Sequence, residues 1–212
     1  VIVRQFEWAR ERLRVLSAAS PVDALAEYRT MDESMHAHTT DAQRYGMALA
    51  QVLSGQSEAA ESGLQALLEK HPDEMWLQLA LAETAHVGKR QALAQSRFEA
   101  LLHQYPENRA ISLTFARALN ETSTVESGRR SLAVLRPLLA GADDDPLMQQ
   151  TFARAAEIAG DLNRAGEAYA ESAFLSGRAE DALNQLSALL KRDDLDYYQR
   201  ARIEARIAAM TP

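Results

Sequence analysis

The sequence predicts an all-α fold in which helical hairpins stack side by side. Ala, Leu, Glu, Gln and Arg dominate the 212 residues, and all five are good helix formers. Apolar residues recur at intervals of three and four, as in Leu64, Leu67 and Leu68, which is the helical period. Strand signals are weak, because the chain contains neither sustained alternation nor an Asn-Gly or Asp-Gly hairpin dipeptide.

Composition excludes several classes of function. The chain has 23 Lys and Arg against 30 Asp and Glu, so its net charge of −7 disfavours binding to nucleic acid and to anionic lipid. It has no cysteine, which excludes disulfides, thiolate zinc sites, iron–sulfur clusters and Cys nucleophiles. The longest uncharged run, residues 45–57, has 13 residues and is too short to cross a bilayer, so we expect no membrane insertion.

Prolines, glycines and capping residues, which begin or end helices, indicate where the loops between the predicted helices lie. Ser20 is expected to cap a helix that begins at Pro21, and Asp143 to Asp145 to cap one that begins at Pro146. Pro137 lies inside an apolar helical pattern, where we expect a kink or a late helix start. Five glycines are expected to end helices, namely Gly55, Gly88, Gly141, Gly160 and Gly177.

An internal repeat of 34 residues runs through the middle of the chain. Leu67-Leu68-x-x-x-Pro72 returns as Leu101-Leu102-x-x-x-Pro106, at an offset of 34. These are the spacings of tetratricopeptide repeats, so we expect an α-solenoid with units at residues 41–74, 75–108, 109–145 and 146–178. An unrelated helical bundle with chance spacing is the alternative.

Within each unit, small residues are expected where two helices approach closely and bulky residues where neighbouring hairpins meet. The large residues at unit position 7 are Met47, Leu81, Phe115 and Phe152. The small residues at position 8 are Ala48, Ala82, Ala116 and Ala153, and those at position 20 are Ala60, Ala94, Ser131 and Ala165. The bulky residues at position 24 are Leu64, Phe98, Leu135 and Tyr169.

Helices are also expected on both sides of the repeats. Residues 1–40 read as a helical pair that leads into the repeats, with Phe6, Trp8, Leu13 and Leu16 forming the apolar side of the first helix. Residues 179–212 read as capping helices, the last of which has Asp196 as its N-cap.

No catalytic or metal-binding motif is recognisable in these residues. The zinc-protease motif His-Glu-x-x-His, the Gly-x-Ser-x-Gly elbow, the phosphate loop and Gly-x-Gly-x-x-Gly are all missing from the sequence. His36 and His38, with acidic neighbours, suggest either a stray metal site or, as we favour, a polar loop between helices. We therefore expect no enzyme and no cofactor within this chain.

A stacked-hairpin solenoid instead presents a groove lined by the first helix of each unit. Its side chains are expected near unit positions 2, 5, 9, 12 and 13, which we call the groove face. The apolar and polar groups on this face suit the binding of an extended segment or a helix of a partner protein. For each charged residue, exposure to solvent without any partner is an equally good explanation. The groove-face candidates are Trp76, Leu79, Glu83, His86, Leu113, Arg117, Asn120, Glu121, Gln150, Arg154 and Glu157.

Several passages resemble a specific family beyond the repeats themselves. Four passages carry the resemblance. They are the opening helix Phe6-Glu7-Trp8-Ala9-Arg10-Glu11-Arg12-Leu13, the start of the first full repeat, Gln43-Arg44-Tyr45-Gly46-Met47-Ala48-Leu49, the hairpin Gly177 to Leu186 and the closing helix Gln199 to Ile207. Together they resemble the C-terminal repeat region of the exported bacterial zinc metallopeptidases, of which the β-barrel assembly-enhancing protease is an example.

The resemblance implies a periplasmic or exported location and a role in outer-membrane protein assembly and quality control. The repeats would bind assembly machinery or an unfolded outer-membrane protein segment, and would also pack against the parent's own protease domain, where zinc is expected. Val1-Ile2-Val3-Arg4 has neither an initiator Met nor a signal-peptide layout, so we expect a fragment of a longer protein. A free-standing repeat adaptor or cochaperone unrelated to proteolysis is the alternative.

Overall fold

The computed structural model describes residues 2–35, 38–141 and 144–211. Over these ranges the chain forms twelve α-helices and no strand, as the helical period predicts. A 3-10 helix, Arg136–Gly141, follows the eighth α-helix. The α-helices are α1 Ile2–Ser17, α2 Pro21–Met35, α3 Asp41–Leu53, α4 Ser57–Lys70, α5 Met75–Val87, α6 Gln91–Gln104, α7 Arg109–Thr122, α8 Val125–Leu135, α9 Pro146–Ile158, α10 Leu162–Leu175, α11 Ala179–Leu189 and α12 Tyr197–Met210.

The chain divides into two compact units, Val1–Pro106 and Glu107–Pro212. This division differs from the three parts expected from the sequence, residues 1–40, 41–178 and 179–212. The boundary follows Pro106, the proline that ends the second 34-residue unit of the sequence.

Unit 1 contains α1 to α6. Consecutive helices pack together from α3 to α6, and α3 also contacts α5 directly. The two N-terminal helices, α1 and α2, both pack against α3. The core between them includes Trp8, Tyr28, Tyr45, Leu49 and Leu64, all buried.

Unit 2 contains α7 to α12. Consecutive helices pack together from α7 to α12, and α7 also contacts α9. In both units, therefore, neighbouring helices pair and alternate helices touch, which is consistent with a helical-repeat solenoid. The first helices α3, α5, α7 and α9 begin at Asp41, Met75, Arg109 and Pro146, where the sequence places the unit starts.

The small residues expected at close helix contacts are inside the protein. All four alanines at unit position 8 are buried, and so are the four small residues at position 20. At position 24, Leu64, Phe98 and Leu135 are buried, while Tyr169 is only partly buried. The sequence period therefore identifies the core of both units.

The capping predictions are confirmed where the structure describes the residues. The Ser20 hydroxyl accepts a hydrogen bond from Asp23 N at 3.1 Å, and Asp145 accepts from the backbone N–H groups of Leu147 and Met148. Asp196 caps α12 with a capping box. His36 and Asp143 lie outside the described residues.

At Pro137, where the sequence predicts a kink or a late helix start, the α-helix instead ends and a 3-10 helix follows. α8 ends at Leu135, one residue before the 3-10 helix that carries Pro137. The proline ring removes a backbone donor and collides with the preceding turn of an α-helix, so the tighter 3-10 geometry takes over. Three of the predicted helix-ending glycines have positive φ angles, namely Gly55, Gly160 and Gly177.

The expected apolar side of α1 is wrong for three of its four residues. Trp8 is buried, but Phe6 and Leu13 are 65% and 67% exposed and Leu16 is also exposed. α1 instead turns inward the side that carries Trp8, Glu11, Arg12 and Val15. Two charged side chains can take these inward positions because each of them has hydrogen-bond partners there.

Candidate functional site

The groove face of α5 is closed. Leu79, Glu83 and His86, three residues expected to contact a partner, are all buried, and Leu79 is 0% exposed. Trp76 is half-buried. The expectation that these side chains line an open groove is therefore wrong for Leu79, Glu83 and His86.

Helix α1 accounts for the burial of Glu83, because Arg12 forms an ion pair with this carboxylate. Arg12 Nη1 and Nη2 donate to Glu83 Oε2 and Oε1, each at 2.9 Å. The guanidinium also lies 5.7 Å from the centroid of the Trp76 ring, within the range of a cation–π contact. Burial disfavours the charge on Arg12, but Glu83 and Tyr45 outweigh burial and raise its pKa.

Aromatic contacts hold the turn of α1 that precedes Arg12 on the helical hairpin formed by α3 and α4. The Trp8 ring packs edge-on against Tyr45 of α3 and against His71, with ring centroids 5.5 Å apart in both cases. Tyr45 is fully buried, and burial raises the pKa of its hydroxyl to about 12. His71 Nε2 lies 2.9 Å from Asp41 Oδ2, and this hydrogen bond lowers the pKa of Asp41.

A second buried carboxylate ties α1 to α2. Glu11 is 0% exposed, accepts a hydrogen bond from the Tyr28 hydroxyl at 2.6 Å, and also pairs with Arg10 and Arg14. The Tyr28 hydroxyl reaches this position across Gly46 of α3, where a Cβ atom would lie only 2.2 Å from it. Unit 1 therefore carries one of its own helices, α1, on the groove face of α3 and α5.

The groove face of α7 is partly open. Leu113 and Asn120 are buried, and Asn120 Nδ2 donates to the carbonyl oxygen of Thr151 at 3.1 Å. Asn120 is thereby committed to packing α7 against α9. Arg117 and Glu121 are exposed.

The groove face of α9 is open along its length. Leu147, Gln150, Arg154 and Glu157 are all exposed, and their spacing of three and four places them in one stripe. Arg154 Nη1 donates to Glu157 Oε2 at 2.7 Å, and the Tyr169 hydroxyl donates to the same oxygen at 3.0 Å. The hydrogen bond from Arg154, followed by that from Tyr169, lowers the pKa of Glu157.

The residues that fill the groove of unit 1 were not among the candidates. Arg12, Glu11 and Trp8 belong to a helix that sequence reasoning treats only as a leader into the repeats. A signal was available, because Trp8, Glu11, Arg12 and Val15 share one face of a helix by spacing. Charged residues on an inward face are the exception rather than the rule, so apolar pattern alone selects the wrong side.

Within residues 2–35, 38–141 and 144–211, no group of three or more His, Asp or Glu side chains is arranged to hold a metal ion. His38 is exposed, and its expected partner His36 is outside those ranges. Among the same residues, the helices are all too short or too polar to span a bilayer.

No protein-family model matches the chain. No curated protein matches it at a significant level of similarity.

Proposed function

We propose that this chain is a non-catalytic protein-binding solenoid of the tetratricopeptide type. The helix starts at intervals of 34, 34 and 37 residues support this class, as do the buried small residues at unit positions 8 and 20. One observation carries the proposal of binding: the groove face of α3 and α5 already holds a helix, α1, through Trp8 and Arg12. A face that accepts a helix within the chain is suited to accept one from a partner.

The open surface for a partner is the groove face of α7 and α9. Arg117, Gln150, Arg154 and Glu157 are exposed there, whereas their counterparts in unit 1 are buried. Apolar, polar and charged groups together favour a helix or an extended segment over a small molecule. Binding at this face needs no catalytic residue.

For the whole protein, we propose the role that the family resemblance implies. The chain would be the C-terminal part of an exported zinc metallopeptidase that acts in outer-membrane protein assembly and quality control in the periplasm. The repeats would bind assembly machinery or an unfolded outer-membrane protein segment and would position the protease domain, which holds the zinc. The motifs in α1, α3, α11 and α12 support this assignment.

Site-specific cross-linking in living cells tests the binding role. A photoreactive amino acid replaces Gln150 on the groove face of α9, and in a matched control it replaces Arg164, an exposed residue of α10. We expect an envelope protein of the outer-membrane assembly pathway, or an unfolded substrate, to be captured from position 150 and not from position 164. Equal capture from both positions would contradict the proposal. Capture of neither an assembly-pathway protein nor an unfolded substrate from position 150 would also contradict it.

Two further measurements separate this role from its alternatives. The coding sequence preceding Val1 should encode a His-Glu-x-x-His motif, whereas a short leader directly before Val1 would favour a free-standing adaptor. The purified chain should show no peptidase activity with or without zinc. Zinc-dependent turnover by this chain would contradict its non-catalytic assignment.

A further inference from the structure

The charge at unit position 9 changes sign between α5 of unit 1 and the helices α7 and α9 of unit 2. In α5 this position is Glu83, which is buried against α1. In α7 and α9 the same position is Arg117 and Arg154, and both are exposed. The face that already binds a helix is therefore acidic at this position, and the open face is basic.

The contact between α1 and α5 shows what occupies the acidic face. Arg12 of α1 supplies the opposite charge to Glu83 and lies over Trp76 at unit position 2. Trp8, four residues earlier in α1, packs on Tyr45 at position 5 of α3, and Val15, three residues later, is buried. The bound helix thus presents an aromatic residue, a charged residue and an apolar residue at spacings of four and three.

The corresponding positions in unit 2 keep one accessible apolar residue and reverse the charge. Position 2 of α9 is Leu147, which is 43% exposed, whereas Leu113 at position 5 of α7 is already buried. Arg154 takes the place of Glu83. An arginine in the bound helix would meet like charge at Arg117 and Arg154, which is unfavourable, whereas a carboxylate would pair with them.

Resting on the proposed function, we propose that the groove face of α7 and α9 binds an amphipathic helix of a partner protein that carries a carboxylate where α1 carries Arg12. The partner helix has an aromatic residue four positions before this carboxylate and an aliphatic residue three positions after it. Glu121 and Glu157 lie one turn beyond the arginines, so a carboxylate of the partner helix pairs best opposite the arginines and not one turn further along the face. Arg154 leaves Glu157 for the incoming carboxylate at little cost, since an exposed ion pair contributes little stability.

Two synthetic peptides and the full chain test the inference. Both peptides span residues 2–17, one with the natural sequence and one with Arg12→Glu, and each carries a fluorophore. We expect fluorescence anisotropy to show that the Arg12→Glu peptide binds the full chain at least about tenfold more tightly than the natural peptide, which corresponds to about 1.4 kcal/mol. The natural peptide competes poorly for unit 1, because α1 of the chain is already held there at high effective concentration.

Charge reversal in the chain identifies the site. Arg154→Glu should abolish the preference for the Arg12→Glu peptide, and Arg117→Glu with Arg154→Glu should invert it. Arg164→Glu, the same charge change on α10, should leave the preference intact. Binding should also weaken as ionic strength rises.

Three results would overturn the inference: equal affinity of the two peptides, no binding of either, or a preference that survives Arg154→Glu. The cross-linking experiment at Gln150 is independent of these peptides. Capture of an assembly component at Gln150 without peptide discrimination would remove this inference and leave the proposed function standing. Peptide discrimination without that capture would keep the helix-binding face and contradict the role in outer-membrane protein assembly.

Discussion

Arg12 of α1 and Glu83 of α5, which are 71 residues apart in sequence, share two hydrogen bonds of 2.9 Å in a buried ion pair. Neither charge is tolerable at this depth without the other, because burial removes the water that would otherwise solvate it. The pair therefore specifies where α1 lies on the repeat helices. It also explains why a helix with exposed Phe6 and Leu13 turns two charged residues inward.

Removing one member of this pair should be far more damaging than removing both. We expect Arg12→Ala and Glu83→Ala each to lower the free energy of unfolding by about 3–5 kcal/mol, since each leaves an unpaired buried charge. The double variant Arg12→Met with Glu83→Leu should lose much less, because no charge remains buried. Urea unfolding followed by circular dichroism measures all three, and a double variant as unstable as the sum of the single ones would contradict this account.

The small residues at unit position 8 should tolerate no large charged side chain. Ala82 and Ala116 are both 0% exposed, so replacing either with Arg would bury a charge at a close helix contact. We expect Ala82→Arg or Ala116→Arg to lower the free energy of unfolding by more than about 4 kcal/mol. Arg117→Ala, the neighbouring exposed position, is the control and should stay within about 0.5 kcal/mol of the natural chain. A thermal melt in which Ala82→Arg is harmless would show that the repeat register is wrong.

Two helical glycines should respond to the same substitution with opposite signs. A Cβ at Gly128 of α8 would lie 2.7 Å from the backbone nitrogen of Ala159, whereas a Cβ at Gly63 of α4 would meet nothing within 4 Å. We therefore expect Gly128→Ala to destabilise unit 2 by about 1–3 kcal/mol. Gly63→Ala should stabilise the chain by about 0.5–1 kcal/mol, because alanine loses less backbone entropy in a helix. Denaturant unfolding of both variants decides the matter, and two effects of equal sign would be inconsistent with the packing of α8 against α9.

Alkaline pH should destabilise the chain through Tyr45. Its pKa is about 12 in the folded chain, above the ordinary value of 10.0, so the unfolded chain loses this proton first. The neutral hydroxyl of Tyr45 makes its full contribution to the free energy of unfolding below pH 10. This contribution decreases as pH rises toward 12, by up to about 1.4 kcal/mol per pH unit. Unfolding free energies at pH 9, 10 and 11 should therefore fall less steeply in Tyr45→Phe than in the natural chain. Parallel slopes in the two chains would contradict the link to Tyr45.

The sequence predicts the repeat helices well, because their signals are local. Starts at Asp41, Met75, Arg109 and Pro146 follow from a fixed interval combined with capping residues and prolines. The burial of Ala48, Ala82, Ala116 and Ala153 follows from the same interval. These features depend on residues within one hairpin or its neighbour.

The groove of unit 1 could not be predicted in the same way. Whether Glu83 is exposed depends on Arg12, which belongs to a different helix and to no repeat. The sequence around a carboxylate on the face of a helix is the same whether water solvates that carboxylate or a guanidinium distant in sequence pairs with it. By contrast, Gln150, Arg154 and Glu157 are exposed, and their contact with a partner stays a prediction.

The distance in sequence between Arg12 and Glu83 also dictates an order of events when the protein is made. A ribosome that adds about 5–20 residues per second needs several seconds to pass from the arginine codon to the glutamate codon. During that interval the emerging N-terminal segment has no acidic counterpart for its guanidinium. This contact therefore cannot close before α5 has been made, and until then the nascent chain exposes the Trp8 indole ring and the positive charge of Arg12.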